Sequence, residues 1–207
     1  DDLGQWYRYH QLFAEVLQHR LRQSQPEILP TLHHRASLWY AQQDNLADAI
    51  QHALLAADFA RAAELIEQVW PTLWDQGAIA TLFKWMQALP EDVLLTYPSL
   101  YVSYAWGLAL TGQIEAAEAY LHQVEATLKP LSAEAAASLT DNTLLGRAAA
   151  LHAMLIARRG EPAEAVPLAD QALALIPGGA VSRGDAYYAL GLVKQQQGAL
   201  AEAFQAY

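Results

Sequence analysis

Apolar and small side chains recur along the chain with the period of a helix, in paired stretches joined by short polar turns. In "YVSYAWGLALTGQIEAAEAYLHQVEATL", residues 101–128, Tyr101, Tyr104, Ala105 and Leu108 mark one helical face. Gly112 then supplies a turn, and Ala117, Leu121 and Val124 mark the face of a second helix. The same frame fits residues 149–177, with Ala149, His152, Ala153 and Ile156, a turn at Gly160, then Ala165, Ala169, Ala172 and Pro177. It fits residues 187–207, with Tyr187, Leu190 and Gly191, a turn at Gly198, then Ala203. An earlier copy spans residues 32–58: Ala36, Ser37 and Tyr40, the Asp44-Asn45 turn, then Ala49, Ala53 and Ala56. Between the early and middle copies, "DFARAAELIEQVWPTLWDQG" and "AIATLFKWMQALP" read as a longer, aromatic and degenerate pair, with Pro71 late in its first helix.

The spacing within each copy is that of a tetratricopeptide repeat (TPR), and self-similarity at such a period specifies a stacked architecture. Lys194 departs from the pattern, standing where an aromatic is usual. The pattern predicts an all-α fold, a right-handed superhelix of TPR-like antiparallel helix pairs beginning near residues 27, 59, 98, 134 and 180. Some of these intervals exceed the usual repeat of about 34 residues, so longer helices or loops must absorb the surplus. "KPLSAEAAASLTDN", residues 129–142, is the expected place: Pro130 ends one helix, Ser132 caps the next and Glu134 sits in its first turn. Alanine explains the closeness of the pairs. Two antiparallel helices approach to about 8 Å only when small side chains face each other.

Composition agrees, since 41 of 207 residues are Ala and 54% are hydrophobic, which favours packed helix over strand or disorder. The absence of Cys excludes disulfides and thiolate metal sites and fits a reducing compartment. The acidic, polar opening "DDLGQWYRYH" is no secretory signal, and no apolar run approaches the roughly 18 residues of a spanning helix. A cytoplasmic location with no membrane contact is expected. The net charge of -10 falls entirely after residue 35, and Lys84, Lys129 and Lys194 are the only lysines. Nucleic acid requires clustered cations, so no direct contact with it is expected.

Residues 6–23, "WYRYHQLFAEVLQHRLRQ", differ from the repeats, with Phe13, Val16, Leu17 and Leu21 forming an amphipathic helix after an aromatic, strand-like stretch. Tyr9, His10, Leu12, Phe13, Leu17, Arg20 and Leu21 resemble the end of the winged-helix segment in large ATP-dependent LuxR-type transcriptional activators, the group of the maltose-regulon activator. The resemblance continues through His34, Arg35, Ala36, Trp39, Tyr40, Ala49, His52, Ala53, Ala57 and Asp58, and covers about residues 6–95. It implies a remnant of a winged helix at residues 1–25 and a TPR-like sensor region at 26–207, the chain being a piece of a longer protein. It also implies a nucleotide-binding switch and a DNA-binding helix-turn-helix elsewhere. ATP is thus expected in the full-length protein and no cofactor in this piece, which has no G-x-x-x-x-G-K-[ST] loop.

Candidate chemistry is sparse. His10, His19, His33, His34, His52, His122 and His152 show no metal-ligand spacing, Glu15 and His19 making at most half a site. His52 and His152 read as packed between helices. None of the seven Ser residues sits in a G-x-S-x-G elbow, so no enzyme is expected. The tripeptide Arg183-Gly184-Asp185 reads as the approach to a helix after "PGG".

The inner groove remains. In TPR-like proteins first-helix positions line it, falling here on His34, Trp106, Arg147, Met154, Arg158, Tyr188 and Gln195. Aromatic side chains, a thioether and two Arg on a concavity suit an apolar ligand with an anionic or hydroxylated end. The competing reading is that Trp106, Met154 and Tyr188 pack the next repeat. Two functions follow: a non-catalytic sensor of a small-molecule inducer or a protein in a transcriptional regulator, or a scaffold gripping a partner peptide or helix. Self-association through an uncapped terminal repeat fits either.

Overall fold

The computed structural model describes residues 11–133, 139–179, 182–199, 201 and 203, and among these every regular element is a helix. They are α1 (Gln11–Ser24), a 3-10 turn (Pro26–Ile28), α2 (Leu29–Gln42), α3 (Leu46–Leu55), α4 (Phe59–Asp75), α5 (Ile79–Gln87), α6 (Glu91–Thr96), α7 (Pro98–Leu110), α8 (Ile114–Ala133), α9 (Leu139–Arg158), α10 (Pro162–Leu175) and α11 (Arg183–Gln196). The first helices of the expected pairs thus begin at residues 29, 59, 98, 139 and 183. Two features differ from expectation. The short helix α6 was not foreseen, and it takes up the surplus between the second and third pairs. Helix α8 runs through Pro130 to Ala133, so Pro130 does not end it and Ser132 is not the cap of the next helix. Pro71 and Pro167 likewise lie inside α4 and α10, each removing one main-chain hydrogen bond that the surrounding helix turns and packing make dispensable. Glu134, Tyr9 and His10 lie outside the described residues.

One closure recurs at the turns. Asp44, Ala57, Gly77, Gly112, Gly160 and Gly198 all adopt positive φ, between 54° and 85°. The residue after each donates its N–H back to the carbonyl five positions earlier, as Gln113 does to Leu108 at 2.9 Å and Asn45 to Tyr40 at 3.0 Å. This is the Schellman arrangement, in which a left-handed residue reverses the chain and satisfies an otherwise orphaned helix carbonyl. Glycine at four of the six positions removes the Cβ penalty.

The chain forms two compact units, residues 1–66 and 67–207. In the first, α2 and α3 form an antiparallel pair, and Ser37, Ala49, Ile50, Ala53, Ala62 and Ala63 are buried with no exposed surface. The one hydroxyl in that core is satisfied: Arg61 donates from Nε to the Ser37 Oγ at 2.8 Å and from Nη2 to its carbonyl at 3.3 Å, as burial of a polar group requires. In the second, α7 pairs with α8 and α9 with α10, α7 and α8 lie against α9, and α11 packs on both α9 and α10. Within this unit consecutive pairs touch, α5 against α7, α7 and α8 against α9, and α9 and α10 against α11, the signature of a repeat stack. Ala105, Ala109, Ala117, Ala153, Ala157, Ala165, Ala169, Ala172, Ala186 and Ala189 are wholly buried. The small side chains expected to let the helices nest are therefore the ones at the contacts.

Candidate functional site

Helix α4 carries Trp70 and Trp74 one turn apart, and their ring centroids lie 4.4 Å from each other at 45°. With Pro71 they make the apolar wall of a cavity of about 310 Å³ in the second unit, at the lower end of small-ligand sites. The rest of the lining is polar: Thr143 and Arg147 from α9, Asp185 from α11 and Ser182 just before it.

Arg147 organises this polar lining. Its side chain and that of Asp185 are each 9% exposed, and its Nε donates to the Asp185 Oδ2 at 3.4 Å. Its Nη2 donates to the Ser103 Oγ of α7 at 3.0 Å, and its Cζ stands 5.1 Å from the Trp70 ring centroid, a cation–π distance. Burial pushes the Asp185 carboxyl above its ordinary value, against the opposing pull of the Arg147 charge and hydrogen bond. A guanidinium and a carboxylate are thus held side by side, away from bulk water, with the Trp70 indole packed on the guanidinium.

The seven groove positions expected from sequence separate. Arg147 is on the cavity. Trp106, 1% exposed, donates its Nε1 to the Arg147 carbonyl at 3.3 Å, and Met154 is wholly buried. Both belong to the core and not to a ligand-accessible surface, a correction that follows from α7 being buried from Leu100 to Ala109 at every position but Tyr104 and from α9 being packed by its neighbours. Arg158 and Tyr188 do come together, Arg158 Nη2 donating to the Tyr188 hydroxyl at 3.4 Å and Nη1 to the Ala109 carbonyl at 3.2 Å. Arg158 and Gln195 are exposed and Tyr188 is half-buried. His34 lies in the first unit, with Nδ1 2.7 Å from the Asp58 Oδ2.

Sequence reasoning missed Trp70, Trp74, Thr143, Ser182 and Asp185. The signal for the first two is the aromatic run around Pro71 in the degenerate copy. Asp185 was hidden in the Arg183-Gly184-Asp185 tripeptide, which is the first turn of α11. There Arg183 donates from Nη1 to the Leu173 and Ile176 carbonyls at 2.8 and 2.7 Å.

Histidines make a second cluster, in the first unit. The Nδ1 atoms of His33 and His52 are 2.9 Å apart and His52 stacks on Tyr40 with centroids 5.3 Å apart. Among the described residues no three His, Asp or Glu side chains gather as a metal site, and no helix is long and apolar enough to cross a membrane.

Comparison with known proteins gives this geometry a context. The MalT winged helix domain model matches residues 1–29. Over 177 residues, 86% of this chain, the sequence is 30% identical to the HTH-type transcriptional regulators MalT of Serratia proteamaculans and of Yersinia enterocolitica. Over 128 residues, 62% of this chain, it is 35% identical to the serine/threonine-protein kinase PknK of Mycobacterium tuberculosis. The chain spans only 19% of the length of those regulators and 12% of the kinase. The crystal structure of the MamA protein aligns with a TM-score of 0.48 and 16% identity, covering 86% of this chain and 88% of that one. The chain is thus a MalT-like helical region, matched at its start by the MalT winged helix domain.

Proposed function

We propose that this region is the sensor of a MalT-like transcriptional regulator, binding a small effector in the cavity between α4, α9 and α11 and doing no chemistry on it. The observation that carries the reading is a cavity of about 310 Å³ lined by Trp70, Pro71 and Trp74 together with the buried Arg147–Asp185 pair. Apolar walls with a few fixed polar groups are what a ligand site requires. The two kinds of relative support it further. A stretch similar both to part of a transcriptional regulator and to part of a kinase suits an input region that different outputs can use.

The cavity draws its walls from three helices of different pairs, so a ligand that fits it favours one relative placement of those pairs. Such a ligand shifts a population in proportion to its differential affinity for the two placements. In the full-length protein the shift passes to a nucleotide-binding module, to self-association and to DNA binding outside this chain, in the cytoplasm. Thermal unfolding in the presence of candidate effectors tests the reading. At a hundredfold excess over Kd a true ligand adds about 2.7 kcal/mol, or roughly 5–10 °C. The gain is lost in Trp74→Ala and Thr143→Val and kept in Arg158→Ala.

The exposed Arg158, with Tyr188 from the next first helix beside it, favours a second reading, a scaffold that takes a partner peptide along that edge. Loss of the response in Arg158→Ala, with the cavity variants unaffected, selects the scaffold.

A further inference from the structure

We propose that Asp185 sets the charge selectivity of the cavity, restricting it to uncharged ligands that carry both hydrogen-bond donors and acceptors on a flat or apolar body. The inference rests on the cavity being the effector site.

A buried guanidinium facing a cavity is by itself an anion trap, since it offers fixed donors in a low-dielectric setting. Here that charge is already answered. The Asp185 Oδ2 lies 3.4 Å from the Arg147 Nε, on the same wall of the same cavity. Arg147 and Asp185 are the two charged groups among the described lining residues, so the site is close to neutral as a whole. An anionic group that reached Arg147 would stand beside the Asp185 carboxylate, and a cationic group that reached Asp185 would stand beside Arg147. Like charges brought together out of water are disfavoured. An uncharged group that both donates and accepts meets neither penalty: it donates to the carboxylate and accepts from the guanidinium, with the Thr143 and Ser182 hydroxyls able to play either part. Pro71 and Trp74 offer apolar surface to its body.

The geometry also orders the two charged residues. Arg147 is tied to Ser103 as well as to Asp185 and rests on Trp70, so it is the fixed member. Replacing Asp185 therefore leaves the Arg147 charge unanswered at a fixed place on the wall.

Three single-ring probes of matched shape separate the possibilities: benzamide, benzoate and benzamidine, neutral, anionic and cationic. Each is titrated into the protein while the indole N–H signals of Trp70 and Trp74 are followed by NMR. In the unaltered protein benzamide is expected to bind more tightly than either charged probe by about tenfold or more. In Asp185→Asn, benzoate overtakes benzamide; in Arg147→Met, benzamidine does. The double variant Arg147→Met/Asp185→Leu removes both charges without stranding either, and its preference among the three collapses to a few-fold. Benzoate binding best in the unaltered protein, or one unchanged ranking in all variants that fold, overturns the assignment while leaving the cavity a binding site. No movement of either indole with any probe overturns the effector site and its selectivity together.

Discussion

Arg147 and Asp185, 38 positions apart in sequence, meet across α9 and α11 with Nε and Oδ2 at 3.4 Å, each side chain 9% exposed. Removing one partner strands the other, at a cost of about 3–5 kcal/mol, but the two directions are unequal. An arginine keeps its charge whatever its surroundings, whereas the Asp185 carboxyl, already pushed upward by burial, can take a proton. Asp185→Asn should therefore destabilise more than Arg147→Met, and the double replacement Arg147→Met/Asp185→Leu should recover most of the loss. A raised folded-state value means that the folded state holds its proton more readily than the unfolded one. Stability from this group is then present at low pH and lost as pH rises. The deficit of Arg147→Met should shrink on acidification from about pH 7 to 5, as read from urea midpoints.

Gly146 tests the closeness of the stack. A Cβ there would meet the Ile176 Cγ1 at 2.5 Å and the Ala172 carbonyl oxygen at 3.1 Å, and the latter is backbone. Gly146→Ala should cost about 1–3 kcal/mol despite its gain in helix propensity. At Gly107 the obstacle is the Phe83 ring at 2.6 Å, a side chain able to swing, and the cost should be smaller. Gly184→Ala, with nothing within 4 Å, should be neutral or stabilising by about 0.5–1 kcal/mol. Equal unfolding midpoints for Gly146→Ala and Gly184→Ala would remove close packing as the role of this glycine.

At Ala57 the Schellman turn uses a residue with φ of 54° where a glycine would be at ease. Ala57→Gly should raise stability by about 0.5–1 kcal/mol, measured as an upward shift of the unfolding midpoint of the first unit.

His52 gives that unit a pH dependence of opposite sign to that of Asp185. Burial, then the neighbouring His33, lowers it from its ordinary 6.5, with Asp48 pulling the other way. The folded state binds this proton less readily than the unfolded one, so stability is complete above about 6.5 and declines as pH falls below it. Only one of two imidazoles whose Nδ1 atoms are 2.9 Å apart can donate to the other, and protonating both breaks the contact. In His52→Gln the decline between about pH 7.5 and 5.5 should flatten; an unchanged slope would assign the dependence elsewhere.

The pairing of helices was legible because it depends on where small and large apolar residues recur and where glycine stops a helix, as at Gly112, Gly160 and Gly198. The cavity was legible in one residue of its seven, Arg147. Helix α7 shows why. From Leu100 to Ala109 all but Tyr104 are buried, so no polar face tells which side looks inward, and Trp106 could be assigned to a groove as readily as to a core. The Trp70-Pro71-Trp74 wall lies in the copy that strayed furthest from the repeat pattern, and straying is what building a cavity between close-packed helices demands. The partnership of Arg147 with Asp185 is a long-range contact of single residues, and no local period announces it.

The most direct measurement of the central claim is an indole NMR spectrum of the protein, its six tryptophans assigned, recorded with and without an effector found by its thermal stabilisation. The account predicts that the Trp70 and Trp74 signals move on binding while those of Trp39, Trp85 and Trp106 stay in place. An effector that stabilises the protein yet leaves Trp70 and Trp74 unmoved would contradict it.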